Sequence, residues 1–258
     1  MATIYICDMK RCEKPPFMVV PSVRDISQNT ALLLEAFSTE AIKKRGTFTL
    51  ILSGGRTPDT LFTLLATPEW RNRIDWSATR VFWADERCVP PDNDSSNYKK
   101  AHNLLLSHVT PAVVCRIKGE LPPEDAAHDY ERQLMQQACL LDQEGAGSAH
   151  TFPRFDCILL GMGADGHTAS IFPGESAEHE TRHTAVAQYV TTLESWRVTI
   201  TLPTINNARE CIFLIAGKDK KDMLQKVASP AGDLLPVQRV LPVAGNLYWY
   251  VDAEAAQG

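Results

Sequence analysis

Three spellings in this chain could do chemistry, and one lone residue stands between two of them. Gly161, Gly163 and Gly166 spell G-x-G-x-x-G, the spacing with which a strand-to-helix turn cradles a dinucleotide pyrophosphate. His179, Glu180 and His183 spell H-E-x-x-H, which on a helix sets two zinc ligands and a general base on one face. Both fail on context. Pro173 and Gly174 stop any helix soon after the glycines, and the acids at 175, 178 and 180 lie in a polar stretch rather than at the end of a next strand. PGESAEHETRHTA is polar throughout, and Arg182 would set a cation beside a metal ligand, so a solvated loop is expected there and no metal. The third spelling, LSGGRTP, lacks the G-K-[ST] ending of a nucleotide P-loop. A strand, a glycine turn and a helix N-terminus still expose unpaired N–H groups and a positive dipole end, which suits an anion. What remains is His167, whose side chain is the type that exchanges a proton near neutral pH.

The other chemistry-bearing residues fall just after predicted strands. Ser53, Gly54, Gly55, Arg56 and Thr57 follow the run from Thr47 to Leu52. Asp85, Glu86 and Arg87 follow Arg80–Trp83, the loop from Gly163 to His167 follows FDCILLG, and Lys218 to Lys221 follow CIFLIAG. In open α/β sheets ligands bind at that carboxyl edge. Taken singly, each group has a plain structural explanation: a surface charge cluster, a capped loop histidine, solvated helix lysines. Together on one edge they would build a pocket with phosphate-binding loops, carboxylates, an arginine and a histidine.

The elements that must position these loops alternate along the chain. Ser22 and Asp25 have capping-box spacing before a helical pattern through Ile26, Leu33, Leu34, Phe37 and Ala41, which Gly46 ends after Lys43, Lys44 and Arg45. Thr57-Pro58-Asp59 predicts a helix start with Thr57 as N-cap. Further helices are predicted over 97–106 and 124–141 and through Lys226, with QEGAGSAH as a flexible loop. Strands are predicted at 112–117, at 155–161, at 211–217 and at 247–251, with RVTITL (197–202) antiparallel to its neighbours. This alternation predicts one α/β domain with an open, largely parallel sheet, over residues 17–258. Residues 1–16, ending in Pro15-Pro16, read as an appendage or an extra strand.

Bulk properties narrow the partners. A formal net charge of −5 gives no electrostatic reason to expect nucleic acid or an anionic membrane, so any phosphate must be caught by local geometry. The 7 cysteines are odd in number and never spaced C-x-x-C, as expected of reduced thiols in a cytoplasmic chain. No apolar run approaches the roughly 20 residues of a membrane span, and the N-terminus lacks a secretory pattern. A cytoplasmic monomer is the default expectation.

LSGGRTP, WADERCVPPDNDSSNY, LLGMGADGHTASIFPG and RVTITLPTINNA, in this order, resemble the 6-phosphogluconolactonase family. That family shares a sugar-phosphate α/β fold, a modified Rossmann arrangement with helices on both faces, with glucosamine-6-phosphate deaminases and ribose-5-phosphate isomerases. The likeness runs from about residue 17 to 256 and takes in GELPPEDAAHDY, IAGKDKKDML and LYWYVDAEAA. It implies hydrolysis of a small sugar-phosphate lactone, without metal or organic cofactor. On that likeness His167 is the general base and then acid, oriented by Asp165 or Glu86. Arg87 and backbone N–H groups around Gly163 would meet the oxyanion, and Asn97 the sugar hydroxyls. The phosphate would sit on residues 53–57 beside Asp85, with Lys220 matching the family's lysine and Arg56 or Arg197 adding charge. Arg56 departs from the family, which commonly has a small hydroxyl residue there. A deaminase pattern would carry a glutamate five residues after the histidine, where this chain has Phe172.

Overall fold

The longest apolar runs become the middle of a sheet. In the computed structural model, which describes residues 17–139, 152–229 and 232–257, β2 (Phe48–Leu52) and β6 (Cys157–Leu160) are buried at every residue. Such strands need cover on both faces. The remaining members of this sheet are β1 (Phe17–Val20), β3 (Thr79–Trp83), β5 (Val113–Val114), β9 (Glu210–Ile215) and β10 (Asn246–Asp252). The order is β1-β10-β9-β6-β2-β3-β5, seven strands paired parallel throughout. From β2 the chain builds outward through β3 to β5, then returns to lay β6 against the other side of β2 and builds outward through β9 to β10. The reversal lies between β2 and β6, so their carboxyl ends splay apart over a crevice. Ser53, the first residue past β2, clamps that point by donating its buried hydroxyl to the Leu159 carbonyl at 2.7 Å.

Helix α1 (Val23–Arg45) has the ends predicted for it. Ser22 accepts from the Asp25 N–H at 3.4 Å, and Gly46, with φ of 75°, donates its N–H to the Ile42 carbonyl at 2.8 Å. The helix packs on β2, β9, β10 and α2 (Arg56–Leu65). Helix α2 starts at Arg56 with Gly55 as its N-cap, so Thr57 lies inside the first turn and is not the cap. The predicted helix over 97–106 is α3 (Asn97–Ala101) continued by a π turn from His102 to Leu106, and the strand predicted over 112–117 shrinks to β5. Helix α4 spans Pro123–Cys139. The appendage at 1–16 and the loop QEGAGSAH lie outside the described residues.

A second, three-stranded sheet stands on the carboxyl side of the first. It consists of β4 (Asp85–Arg87), β8 (Ser195–Ile200) and β7 (Ala185–Val190), antiparallel in the order β4-β8-β7. The antiparallel strand expected near residues 197–202 is β8. Asp85–Arg87, expected as a loop, is a strand in its own right, because the chain passes from one sheet to the other at Ala84. Ala84 still donates its N–H to Leu52 of the large sheet at 2.8 Å, while its carbonyl already accepts from Ile200 of the small one at 2.8 Å. Tyr130, fully buried on α4, holds this junction: its hydroxyl donates to the Trp83 carbonyl at 2.6 Å and accepts from the Trp83 N–H at 2.8 Å. Burial pushes that phenol well above the ordinary tyrosine range, against the bond to Trp83.

Three further short or moderate helices complete the chain. These are α5 (Leu202–Asn206), α6 (Lys221–Ala228) and α7 (Ala253–Ala256). No described helix is long and apolar enough to cross a membrane.

Candidate active site

A cleft of about 970 Å³ opens where the carboxyl ends of β2, β6 and β9 face the small sheet. Its walls come from four places. The turn Ser53–Thr57 follows β2; Gly163, His167 and Phe172 follow β6; Arg87 and Arg197 stand on β4 and β8; Lys218, Asp219 and Lys220 follow β9. Asp85 and Asn97 line it as well. The predicted groups therefore share one cavity, apart from Asp165 and Glu86, which are not on its lining.

Asp165 reaches the cleft through His167. Its Oδ1 lies 2.6 Å from the imidazole Nδ1 and also accepts the His167 backbone N–H at 3.1 Å. Burial alone would raise the Asp165 carboxyl, but the hydrogen bond and the charge of His167 outweigh it and hold the group below the usual carboxylate range. An ionised carboxylate can only accept, so Nδ1 is a protonated nitrogen, and in the neutral form of the ring Nε2 is the one with the lone pair. Phe172 supports the ring by stacking on it, 4.0 Å from the imidazole, centroid to centroid, at 26°. Gly163 makes room for the pair, since a Cβ there would fall 2.1 Å from His167 Nδ1 and 2.5 Å from Asp165 Oδ1. The Gly163 N–H, expected to face an oxyanion, is instead donated to the His167 carbonyl at 2.8 Å and closes the loop.

Arg87 and Arg197 are directly opposed residues in the β4–β8 ladder. Like charges in that relation repel unless an anion lies between or beside them. Burial holds the Arg197 guanidinium below the usual arginine range, with Asp85 pulling it back up and the charge of Arg87 pushing it further down. Arg87 is aimed by Asn97: its Nη1 donates to Asn97 Oδ1 at 2.5 Å and to the Ser95 carbonyl at 2.6 Å. The Asn97 amide nitrogen is committed in turn to the Asp85 carbonyl at 2.9 Å and to Asp85 Oδ1 at 3.3 Å. Asn97 thus serves as a strut between Arg87 and Asp85 while lining the cleft. Gly54 permits this, because a Cβ there would lie 1.9 Å from Asn97 Oδ1. Asp85 Oδ2 accepts from Ser170 at 2.7 Å and ties the small sheet to the histidine loop.

Glu86 does not orient the imidazole. It is buried, and its two oxygens accept from the N–H groups of Arg87 (2.8 Å), Asn97 (2.8 Å) and Tyr98 (2.7 Å) and from the Ser96 hydroxyl (2.9 Å). Burial pushes its carboxyl up against the pull of those bonds. Of the two carboxylates left open by the sequence, Asp165 is the one in contact with His167.

On the opposite wall Arg56 is largely exposed, and its Nη2 lies 4.0 Å from Asp219 Oδ2; Lys220 Nζ lies 3.3 Å from the same oxygen. The loop carrying these charges is anchored by Asp252, which accepts the Gly217 N–H at 3.1 Å and caps α7 through the Ala255 N–H at 2.8 Å. Asp252, Ser170, Phe172 as a ring support and Tyr130 were not singled out from the sequence as parts of a site. Only Asp252 left a signal, as an acid between LYWYV and the helix-forming AEAA.

The decoys are resolved by geometry. His179 ends a single 3-10 turn, Ser176–His179, whereas His183 lies beyond it with Nδ1 3.1 Å from Glu131 Oε2. Glu180 is spent on the backbone N–H groups of Arg182 and His183. Among the described residues no cluster of three or more His, Cys, Asp or Glu is placed to hold a metal ion. No helix follows Gly161, Gly163 and Gly166, as a dinucleotide site would require.

Residues 21–249 match a family described as glucosamine-6-phosphate isomerases/6-phosphogluconolactonase. A 6-phosphogluconolactonase of Treponema pallidum is 40% identical over 209 residues, covering 80% of this chain and 83% of that protein. The chloroplastic 6-phosphogluconolactonase 3 of Arabidopsis thaliana is 34% identical over 244 residues, covering 91% of this chain and 73% of that protein. The solved structure of 6-phosphogluconolactonase from Trypanosoma cruzi superposes with a TM-score of 0.80 at 30% identity, covering 95% of this chain and 97% of that one.

Proposed function

This chain belongs to the glucosamine-6-phosphate isomerase/6-phosphogluconolactonase family, and we propose that it hydrolyses 6-phospho-D-glucono-1,5-lactone to 6-phosphogluconate in the oxidative pentose phosphate pathway. The observation that carries the mechanism is the 2.6 Å His167–Asp165 pair in a cleft shared with the Ser53–Thr57 turn and two opposed arginines.

A lactone is an ester, so the task is to activate water, stabilise an oxyanion and protonate a leaving oxygen. His167 Nε2 takes a proton from water as the water oxygen bonds to C1 and the carbonyl pair moves onto oxygen. Asp165 stabilises the resulting imidazolium and keeps the ring in the productive tautomer. Arg87 stabilises the oxyanion. When the tetrahedral centre collapses, the bond from C1 to the ring oxygen breaks, and the imidazolium returns its proton to that oxygen. One water is consumed, and the carboxylic acid formed ionises near neutral pH. The phosphate is held by the N-terminus of α2 with Arg56, Lys220 and Arg197. The steps call on no metal and no organic cofactor. A monomer in the cytoplasm is part of the same proposal.

A sugar-phosphate deaminase is the nearest rival, and Phe172 counts against it, since the residue five positions after the histidine has no proton to move. A non-catalytic sensor on the same fold is separated by assay. Purified protein given freshly made lactone in weak buffer should release acid faster than the spontaneous background. His167→Ala should remove most of that excess, whereas His183→Ala should retain it and a chelator should not inhibit. No excess over background, or equal loss in both variants, would overturn the proposal.

A further inference from the structure

Two of the three cations assigned to the phosphate, Arg56 and Lys220, already share an anion. Arg56 belongs to the turn after β2 and Lys220 to the turn after β9, and those strands flank β6. Two interstrand spacings, roughly 10 Å, separate such turns. Yet a single oxygen, Asp219 Oδ2, lies 3.3 Å from Lys220 Nζ and 4.0 Å from Arg56 Nη2, and all three residues line the cleft. The carboxylate is folded back over Gly217, where a Cβ would come within 2.8 Å of Asp219 Oδ1. An acid is an unexpected lining for a pocket that must accept a phosphate, and Arg56 is the position at which the chain departs from the small hydroxyl common in its family.

We infer that Asp219 is a resident counter-anion: its Oδ2 stands where a phosphate oxygen of the substrate will bind, and substrate displaces it. The inference rests on the phosphate being held by Arg56 and Lys220. Asp219 stands at ion-pair distance from both cations and offsets their mutual repulsion before substrate arrives. Its side chain is 52% exposed and that of Arg56 90% exposed, so the bridge is screened by water and is cheap to break. A phosphate carries about −1.5 to −2 charges and three acceptor oxygens against the single charge of a carboxylate, and it wins the exchange while giving up part of its attraction. Asp219 thereby sets a threshold that favours a phosphate over singly charged anions and weakens retention of phosphorylated product.

Asp219→Asn preserves size and removes the charge. Titration of the intact protein with inorganic phosphate, followed by calorimetry at low ionic strength, should show tighter binding in the variant by about two- to fivefold, as expected for relief of a partly exposed charge competitor. The gain should shrink at about 0.5 M salt. KM for the phosphorylated lactone should fall with it, while unphosphorylated gluconolactone shows no such gain. Unchanged or weaker phosphate binding in the variant, or no phosphate binding by the wild-type protein, would overturn the inference. The titration needs no turnover, so a protein that binds phosphate more tightly as Asp219→Asn but hydrolyses no lactone would refute the proposed activity and leave the role of Asp219 standing.

Discussion

The two sheets of this molecule divide the labour of the cleft. The seven-stranded parallel sheet contributes its ends: turns, N–H groups and the histidine loop all hang from strands that are themselves buried. The three-stranded antiparallel sheet contributes side chains from the strands themselves, Arg87 and Arg197, on a ladder one face of which meets the cleft. The first arrangement can change a loop without disturbing the core. In the second, the groups that line the cleft are also members of the ladder, so a change to the cleft wall is harder to separate from a change in stability.

That contrast can be broken or sharpened by substitution. The largest effect belongs to the parallel-sheet side. His167→Ala should lower the enzymatic rate by about 10³-fold, within the usual range for removing a general acid–base, with circular dichroism unchanged. Asp165→Asn should cost about 10²-fold in kcat by disturbing the tautomer. It also carries a pH signature. Because the native Asp165 carboxyl is held below its usual range, its stabilising contribution is present above that range and lost as pH falls through the native value. The wild-type protein should therefore exceed Asp165→Asn in stability at neutral pH by under about 1 kcal/mol, the group being half exposed, and the margin should close in acid. Urea titrations across pH measure it.

On the antiparallel side, Glu86→Gln should destabilise the fold by about 2 kcal/mol, because an amide presents one acceptor oxygen where donors converge on two. Equilibrium unfolding reads that cost. Arg197→Lys and Arg87→Lys should be milder, about tenfold each, since a point charge replaces a planar fork. Arg197→Lys should act on KM and Arg87→Lys on kcat. If both lysine variants instead lost stability without a kinetic split, the small sheet would be a scaffold and its arginines would not be part of the chemistry.

Much of the large sheet was legible because its strands are continuous apolar runs followed by glycine turns or charge. The same logic led from FDCILLG to the loop bearing Asp165 and His167, and from TFTLIL to Ser53–Thr57. The small sheet was less so. Strand β4 is only Asp85–Arg87 and carries three charges, which resembles surface by composition. Strand β7 follows a polar loop and alternates weakly between buried and exposed. Pairing with β8 makes both of them strands: for β4 this is a long-range event, whereas β7 joins β8 as a hairpin across the short turn Thr191–Leu193. Glu86 could not be told from a site carboxylate, because apart from the adjacent Arg87 N–H the donors it satisfies, on Ser96, Asn97 and Tyr98, lie ten or more positions away. The two-residue error at the start of α2 has a local cause: Gly55 caps the helix with backbone alone, so the Thr57 hydroxyl is not the cap.

Tyr130 has no place in the reaction, yet its hydroxyl takes both polar groups of Trp83 at the joint where one sheet hands the chain to the other. It works like a hinge pin whose setting fixes how far the arginine wall stands from the imidazole wall. Efforts to retune this cleft for another sugar by altering only its visible surface would leave that setting untouched. A change in the aperture itself would have to start from the back of the molecule, at a ring no ligand ever meets.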